Sequence, residues 1–238
     1  MARKKREIVP GAPHHVWSRG NNRRRLFSRA PDYHTFLRLL WRGLREWPVT
    51  VHALVLMRNH LHLLATPADG KSLSKLMKTV CQRYTQLRNG KNGGSGKLWE
   101  QSFESKPIRS ELQLAVTTAY IEANPVRAGI VADPAAYPWS TYGQHAGRTQ
   151  LSKVWPSLWT PSGWYERLAS TPAARANEYA AVFASYLAEN VRPEHADLPS
   201  LIRAEAASVE GDCVRIRRPD GTRATEPEVF WSLPSKKC

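Results

Sequence analysis

Two short runs in this sequence carry residue types that can do chemistry together. The first is His60-Leu61-His62. On an extended strand, residues two apart share a face, with Cα atoms roughly 6.6 Å apart. Two imidazoles so placed can converge on one metal ion, while Leu61 turns to the opposite face with Leu63. The second run is Tyr120-Ile121-Glu122-Ala123-Asn124. On a helix, Tyr120 and Asn124 stand one above the other on one face. An Asn carbonyl oxygen is a ligand for a hard cation, and a phenol beside that cation can attack phosphorus. Glu122 falls on a different face and is left out of the site. Alone, each pair also has a plainer reading: two surface histidines, and a core tyrosine beside a helix-ending Asn. Tyr84 is the rival nucleophile, with Arg83 beside it, but Arg88 stands four residues on where an amide or carboxylate is wanted. His52, on the adjacent strand, reads as a packed histidine, with a ligand-orienting role as the alternative.

These runs need elements to position them. His15 to Arg19 alternates as a short first strand, followed by the basic loop Gly20-Asn21-Asn22-Arg23-Arg24-Arg25. Pro31-Asp32 opens a helix through Phe36, Leu37, Leu40 and Leu44, which Pro48 stops. Val49 to Met57 and His60 to Thr66 read as a hairpin around Arg58-Asn59. Ser72 is the expected cap of a helix through Leu87. Asn89 to Gly96 reads as a loop, with 90–96 a hinge before the tyrosine helix. Leu98 to Ile108 is the expected fourth strand, and Glu111 to Asn124 a helix that Pro125 ends. The order β-α-β-β-α-β-α predicts an α+β fold: a ferredoxin-like βαββαβ antiparallel sheet with an added tyrosine-bearing helix. Residues 1–145 hold this unit. Residues 146–238 shift in composition, with an Ala-rich helical stretch at 173–189, and read as a partly helical extension of unknown role.

The chain has 238 residues, 42% hydrophobic and 23% charged, which suits a globular protein with a real core. Its 35 Lys and Arg against 20 Asp and Glu give a formal net charge of +15. Such a surplus implies an acidic partner. Membrane is disfavoured, because no run approaches the roughly 20 apolar residues of a spanning helix and the basic start lacks a secretory apolar region. Cys81, Cys213 and Cys238 form neither a disulfide framework nor a CxxC metal site, so a cytoplasmic location fits. Nucleic acid is the remaining partner. Arg19, Asn21, Asn22, Arg23, Arg24 and Arg25 form one basic cluster, and Arg3, Lys4, Lys5 and Arg6 another. Both suit phosphate contacts. Trp17, Trp99 and Phe103 are either base-stacking platforms or core rings, and the core reading is preferred.

In combination these stretches resemble the REP-associated tyrosine transposases, a branch of the transposase family of small bacterial insertion sequences and a type of single-tyrosine HUH endonuclease. The resemblance covers residues 8–143. It rests on Pro10-Gly11, His15-Val16, Ser18-Arg19-Gly20-Asn21-Asn22, Val51-His52-Ala53, Leu56-Met57 and Asn59-His60-Leu61-His62-Leu63-Leu64. It continues through Leu98-Trp99-Glu100-Gln101, Phe103-Glu104-Ser105-Lys106, Tyr120-Ile121, Asn124-Pro125-Val126-Arg127-Ala128-Gly129 and Tyr137-Pro138-Trp139-Ser140. The likeness implies His60, His62 and Asn124 as ligands of Mg²⁺ or Mn²⁺, although by softness two imidazoles also suit Zn²⁺. It implies Tyr120 as the nucleophile that holds a DNA 5′ end as phosphotyrosine. The implied partner is single-stranded or hairpin DNA of REP type, with Lys106 in the DNA-binding set and the N-terminal arm reading nearby guide nucleotides. A nucleoid-associated monomer or homodimer is expected, since relatives include both. Beyond about residue 150 the likeness is loose. Two other functions remain open: a non-catalytic nucleic-acid-binding regulator on the same fold, and a metal-dependent hydrolase of small phosphoesters using His60 and His62.

Overall fold

A computed structural model describes residues 6–148, 158–188, 213–217 and 223–227. The chain runs β1 (His14–Arg19), α1 (Ala30–Glu46), β2 (Val49–Met57), β3 (His60–Pro67), α2 (Ser72–Asn92), β4 (Glu104–Pro107) and α3 (Glu111–Arg127). Short helices α4 (Tyr142–His145) and α5 (Gly163–Arg167) follow, then α6 (Pro172–Ala188). A separate hairpin pairs β5 (Cys213–Arg217) with β6 (Arg223–Pro227). The main sheet has the order β2-β3-β1-β4, with every neighbouring pair antiparallel. This is the expected ferredoxin-like α+β arrangement. Among the described residues, no helix is long and apolar enough to cross a membrane.

Strand parity divides the side chains into two cores. Val16, Leu54, Leu56, Leu61, Leu63 and Ala65 pack with α1 and α2 in one. Gly43 lies where these two helices meet, and a Cβ there would sit 2.7 Å from Leu76 Cδ1. The opposite face carries Ala53, Val55, Met57 and Leu64 under α3. It also carries His15, Trp17, Arg19, His60 and His62, by the cross-strand register Arg19↔His60 and Trp17↔His62. Burying the first face is what orients the second. Leu61 and Leu63 are both fully buried, so a one-residue slip would invert the whole histidine row.

Several boundaries differ from expectation, each for a local reason. Lys71 is the cap position of α2, and Asp69 Oδ1 accepts from the Lys71 and Ser72 amides at 2.6 and 2.7 Å, so Ser72 is the first helical residue and not the cap. The helix continues through the expected loop to Asn92 and ends at Gly93, whose φ of +59° suits a left-handed cap. The fourth strand is only Glu104–Pro107. Trp99 bridges Gly20, but exposed Glu100-Gln101-Ser102 bows away before Phe103 returns to the core. Most tellingly, α3 runs through Pro125 to Arg127. Proline has no amide hydrogen to give the Ile121 carbonyl. The Asn124 side-chain amide supplies one instead, at 3.2 Å, and a second to the Tyr120 carbonyl at 2.8 Å.

Strand β2 would be an open sheet edge, but later chain covers it. Leu56 N donates to Trp139 O at 2.9 Å, Thr141 N to Leu54 O at 3.0 Å, and Thr160 N to Val51 O at 2.8 Å. Tyr179 and Phe183 of α6 join the core beneath α3, with Trp164 and Tyr165.

Candidate functional site

The helix α3 lays Tyr120 across the histidine row of the sheet. Its ring centroid lies 5.5 Å from that of His62 and 5.6 Å from that of His15, edge-on to both. His60 and His62 are 5.1 Å apart by ring centroids. Asn124, one turn beyond Tyr120, brings its Oδ1 to 3.5 Å from His60 Nε2. The four residues singled out for metal and nucleophile roles therefore meet in one place and within one chain.

The protonation pattern of this cluster follows from its hydrogen bonds. Asn59 Nδ2 donates to Arg23 O at 3.4 Å, which turns its Oδ1 toward His60 Nδ1 at 2.8 Å. A carbonyl oxygen only accepts, so His60 carries its proton on Nδ1 and leaves a lone pair on Nε2. Burial holds His60 below the ordinary histidine range, although Asn124 Oδ1 would accept from the protonated ring, so the neutral ring prevails at pH 7. Because Nδ2 of Asn124 is committed to backbone carbonyls, its Oδ1 must face His60. Two acceptors thus oppose each other at 3.5 Å with no hydrogen between them. An imidazole nitrogen with an amide oxygen is a donor set that could hold a divalent ion. Among the described residues, no three His, Cys, Asp or Glu side chains form a ready-made cage. The fit rests on His60, His62 and Asn124.

His15 is the residue that sequence reasoning missed. Its Nε2 lies 3.0 Å from His62 Nδ1, in a buried contact. The ring is fully enclosed, and burial with Lys106 nearby pushes it down to about 3. Burial also holds His62 well below the ordinary range. The unfolded chain binds protons at these positions below pH 6.5, and the folded chain does not. Stability from this source is whole above pH 6.5 and falls as pH drops from there toward 3. The unfolding free energy should fall on acidification, by up to about 1.4 kcal/mol per pH unit for each histidine. His15→Gln should make that slope shallower in calorimetry at a series of pH values, and an unchanged slope would refute the assignment.

Tyr120 is half-buried. Desolvation raises its phenol pKa, while Arg127 and then Arg19 pull it back down. Arg19 is exposed at the end of β1, registered opposite His60. Arg127 lies two turns beyond Tyr120, its guanidinium 4.3 Å from the Tyr186 ring centre. Asn22, Arg23, Arg24 and Arg25 are exposed, and Asn21 is half-buried. Asn22 and Arg23 have φ of 50° and 55°, a tight left-handed turn that the Asn59 contact ties to the histidine hairpin. Lys106 is exposed on β4, registered opposite His15. Arg6 lies over the Phe103 ring at 4.2 Å and donates to Ser102, so it packs on the body of the protein. Arg3, Lys4 and Lys5 fall outside the described residues.

The remaining candidates have structural places. His52 sits at a β-bulge between Val51 and Ala53, bonded to Thr160 O and Thr66 Oγ1, a packed strand histidine away from the site. Trp99 and Phe103 are core residues, and Trp17 is half-buried beside His15 at 4.9 Å. Tyr84 is fully buried and donates to Leu26 O at 2.7 Å. Tyr84→Phe strands that carbonyl, so chemical denaturation should show a loss of about 1–3 kcal/mol with DNA chemistry unchanged.

Residues 10–124 match the family model described as "Transposase IS200 like". A REP-associated tyrosine transposase of Escherichia coli (strain K12) is 25% identical over 127 residues, covering 53% of this chain and 74% of that protein. A solved structure of a REP-associated tyrosine transposase bound to a REP hairpin superposes with a TM-score of 0.54 at 21% identity. It covers 68% of this chain and 93% of that one, a likeness of fold. The resemblance read from the sequence is therefore borne out: the segment from Pro10 to Asn124, with its sheet, histidine hairpin and tyrosine helix, is similar to the IS200-like transposases.

Proposed function

We propose that this chain cleaves and rejoins single-stranded DNA next to REP-type hairpins, with Tyr120 as nucleophile and a divalent cation, Mg²⁺ or Mn²⁺, at His60, His62 and Asn124. One observation carries the reading. The Tyr120 ring lies against His62 and His15 of its own chain, one helical turn from the pair of opposed acceptors. The hydroxyl is also available. Tyr84, Tyr137, Tyr165 and Tyr179 each donate into the protein, whereas among the described residues the Tyr120 hydroxyl makes no hydrogen bond.

In this reading Tyr120 Oη attacks a DNA phosphorus and the bond from phosphorus to the 3′ oxygen breaks. The phenol proton is released, the 5′ phosphate of the strand 3′ of the cut stays on Tyr120 as a phosphodiester, and the strand 5′ of the cut leaves with a 3′ hydroxyl that takes up a proton. Reversal by another 3′ hydroxyl rejoins strands with the count of phosphodiester bonds unchanged, so no outside energy source is needed. A bound cation supplies electrophilic polarisation of the phosphate oxygens. His60, His62 and Asn124 would hold it, with the Asn59 and backbone contacts described above fixing the orientation of the His60 ring and the Asn124 amide. Arg19 and Arg127 add positive charge beside the phenol, favouring the phenolate that forms as the proton leaves.

The exposed arginines after β1 would hold DNA phosphates. Replacing Arg23, Arg24 and Arg25 together should weaken binding to every sequence tested. The slope of log affinity against log salt should drop by about 0.7 for each single-strand phosphate that these side chains no longer neutralise. An unchanged slope in a fluorescence-anisotropy titration would remove this loop from the DNA interface. The test of the whole reading is one denaturing gel. Labelled single-stranded hairpin DNA with and without divalent metal should give a metal-dependent, protein-linked band. Binding without that band would leave a DNA-binding regulator.

A further inference from the structure

Glu122 lies on α3 two residues from Tyr120, on the face turned away from the histidine row, and is fully buried. Three donors converge on its carboxylate. They are Thr141 Oγ1 at 2.5 Å, His145 Nδ1 at 2.8 Å, and the Tyr179 hydroxyl. A fourth contact secures the set, since Tyr165 OH donates to the His145 carbonyl at 2.8 Å. The donors come from the strap along β2, from α4 and from α6. The strap is itself fixed to the sheet, because Thr141 Oγ1 accepts from Leu54 N at 2.9 Å. A continuous path thus joins the tyrosine helix to strand β2 and to α6. All four partner residues lie beyond residue 124, where the family match ends.

A buried carboxylate is a costly way to stabilise a helix contact. An apolar residue of similar size would hold it as well or better. What a fully satisfied polar node can supply is one defined arrangement. A helix that rotates or slides on an apolar face loses little, but the same motion at Glu122 breaks three hydrogen bonds together. We infer that Glu122 is a positioning residue for Tyr120, and that residues 158–188 act as a clamp holding the tyrosine helix over the histidines of its own chain. The inference rests on the reading of Tyr120 as nucleophile. It gives part of the C-terminal extension a task in that reaction.

The test uses the full chain with Tyr179→Phe and Glu122→Gln, each of which keeps the volume of the side chain. Three quantities are read well below each variant's thermal midpoint: the single-turnover cleavage rate at saturating hairpin DNA, the DNA dissociation constant, and amide hydrogen exchange. The expected result is a rate roughly 10- to 100-fold slower with affinity within about twofold of wild type. Exchange should quicken in α3 around residues 118–124 and stay unchanged in α1 and α2. A wild-type rate, or unchanged exchange in α3, would overturn the clamp. So would an exchange increase spread evenly over α1, α2 and α3, which marks general loosening. Should wild-type protein yield no DNA-linked species, the nuclease reading falls, and the α3 exchange result alone supports or overturns the positional role of Glu122.

Discussion

Tyr120→Phe is expected to abolish the covalent protein–DNA product and to slow cleavage by roughly 10⁴-fold or more, the scale on which loss of a nucleophile is felt. That corresponds to about 5–6 kcal/mol of barrier. The substitution removes one oxygen and keeps the ring that packs on His15 and His62. Since that hydroxyl makes no hydrogen bond among the described residues, stability should shift by no more than about 0.5 kcal/mol. DNA affinity should be unchanged, because the arginines of the β1–α1 loop are untouched. The measurement is a denaturing gel with 5′- and 3′-labelled hairpin DNA, paired with anisotropy binding. Label placement also reports polarity: only the strand 3′ of the cut should travel with the protein. A Tyr120→Phe protein that still forms the adduct would dismiss Tyr120. Its burial would then have to be explained as packing, and among the described residues no second tyrosine packs against the histidine row to replace it.

How much of this was legible in the sequence depends on the range of the interactions involved. The histidine pair was readable because strand parity is local: His60 and His62 must share a face whatever lies beside them. The pairing of Tyr120 with Asn124 was readable for the same reason on a helix. His15 was not. Its role depends on the antiparallel register between β1 and β3, which sets Trp17 opposite His62 across 45 positions of chain, and no spacing rule reports that. A histidine two residues before Trp17, on the parity of Arg19, was the available hint. The end of α3 was misjudged because Pro125 does disfavour a helix. The Asn124 side chain repairs the missing bond, so the same residue serves the helix backbone and the site. The strand after Leu98 was overextended because alternation continues through residues that bow into solvent. The contacts of Glu122 were invisible for a further reason: a Glu two residues from the nucleophile reads only as lying on another face until Tyr179, 57 positions on, closes over it.

Chelation should stop cleavage while leaving DNA bound, and His60→Ala or Asn124→Ala should cost at least about a hundredfold in rate. The reasoning is electrostatic. His60 Nε2 and Asn124 Oδ1 are both acceptors, both locked from behind, and they face each other at 3.5 Å. That arrangement costs the protein free energy unless a cation enters. The cation should therefore stabilise the fold, by about 2.7 kcal/mol at a hundred times its dissociation constant. Thermal unfolding in Mn²⁺ or Mg²⁺ against chelator measures this without DNA or turnover. The wild-type midpoint should rise with metal, and the His60→Ala midpoint should not. Asn124 needs a second control, because Asn124→Ala also strands the Ile121 carbonyl, which faces Pro125. Asn124→Asp retains an oxygen ligand and adds charge while losing that amide donor. It should bind the cation at least as tightly as wild type yet melt earlier without metal. Asn59→Ala releases the tautomer of His60, and should weaken the metal response by about tenfold with the ligands themselves intact. Full-rate cleavage by wild type in chelator, or a midpoint indifferent to metal, would leave the facing acceptors without a ligand and remove the cation from this site.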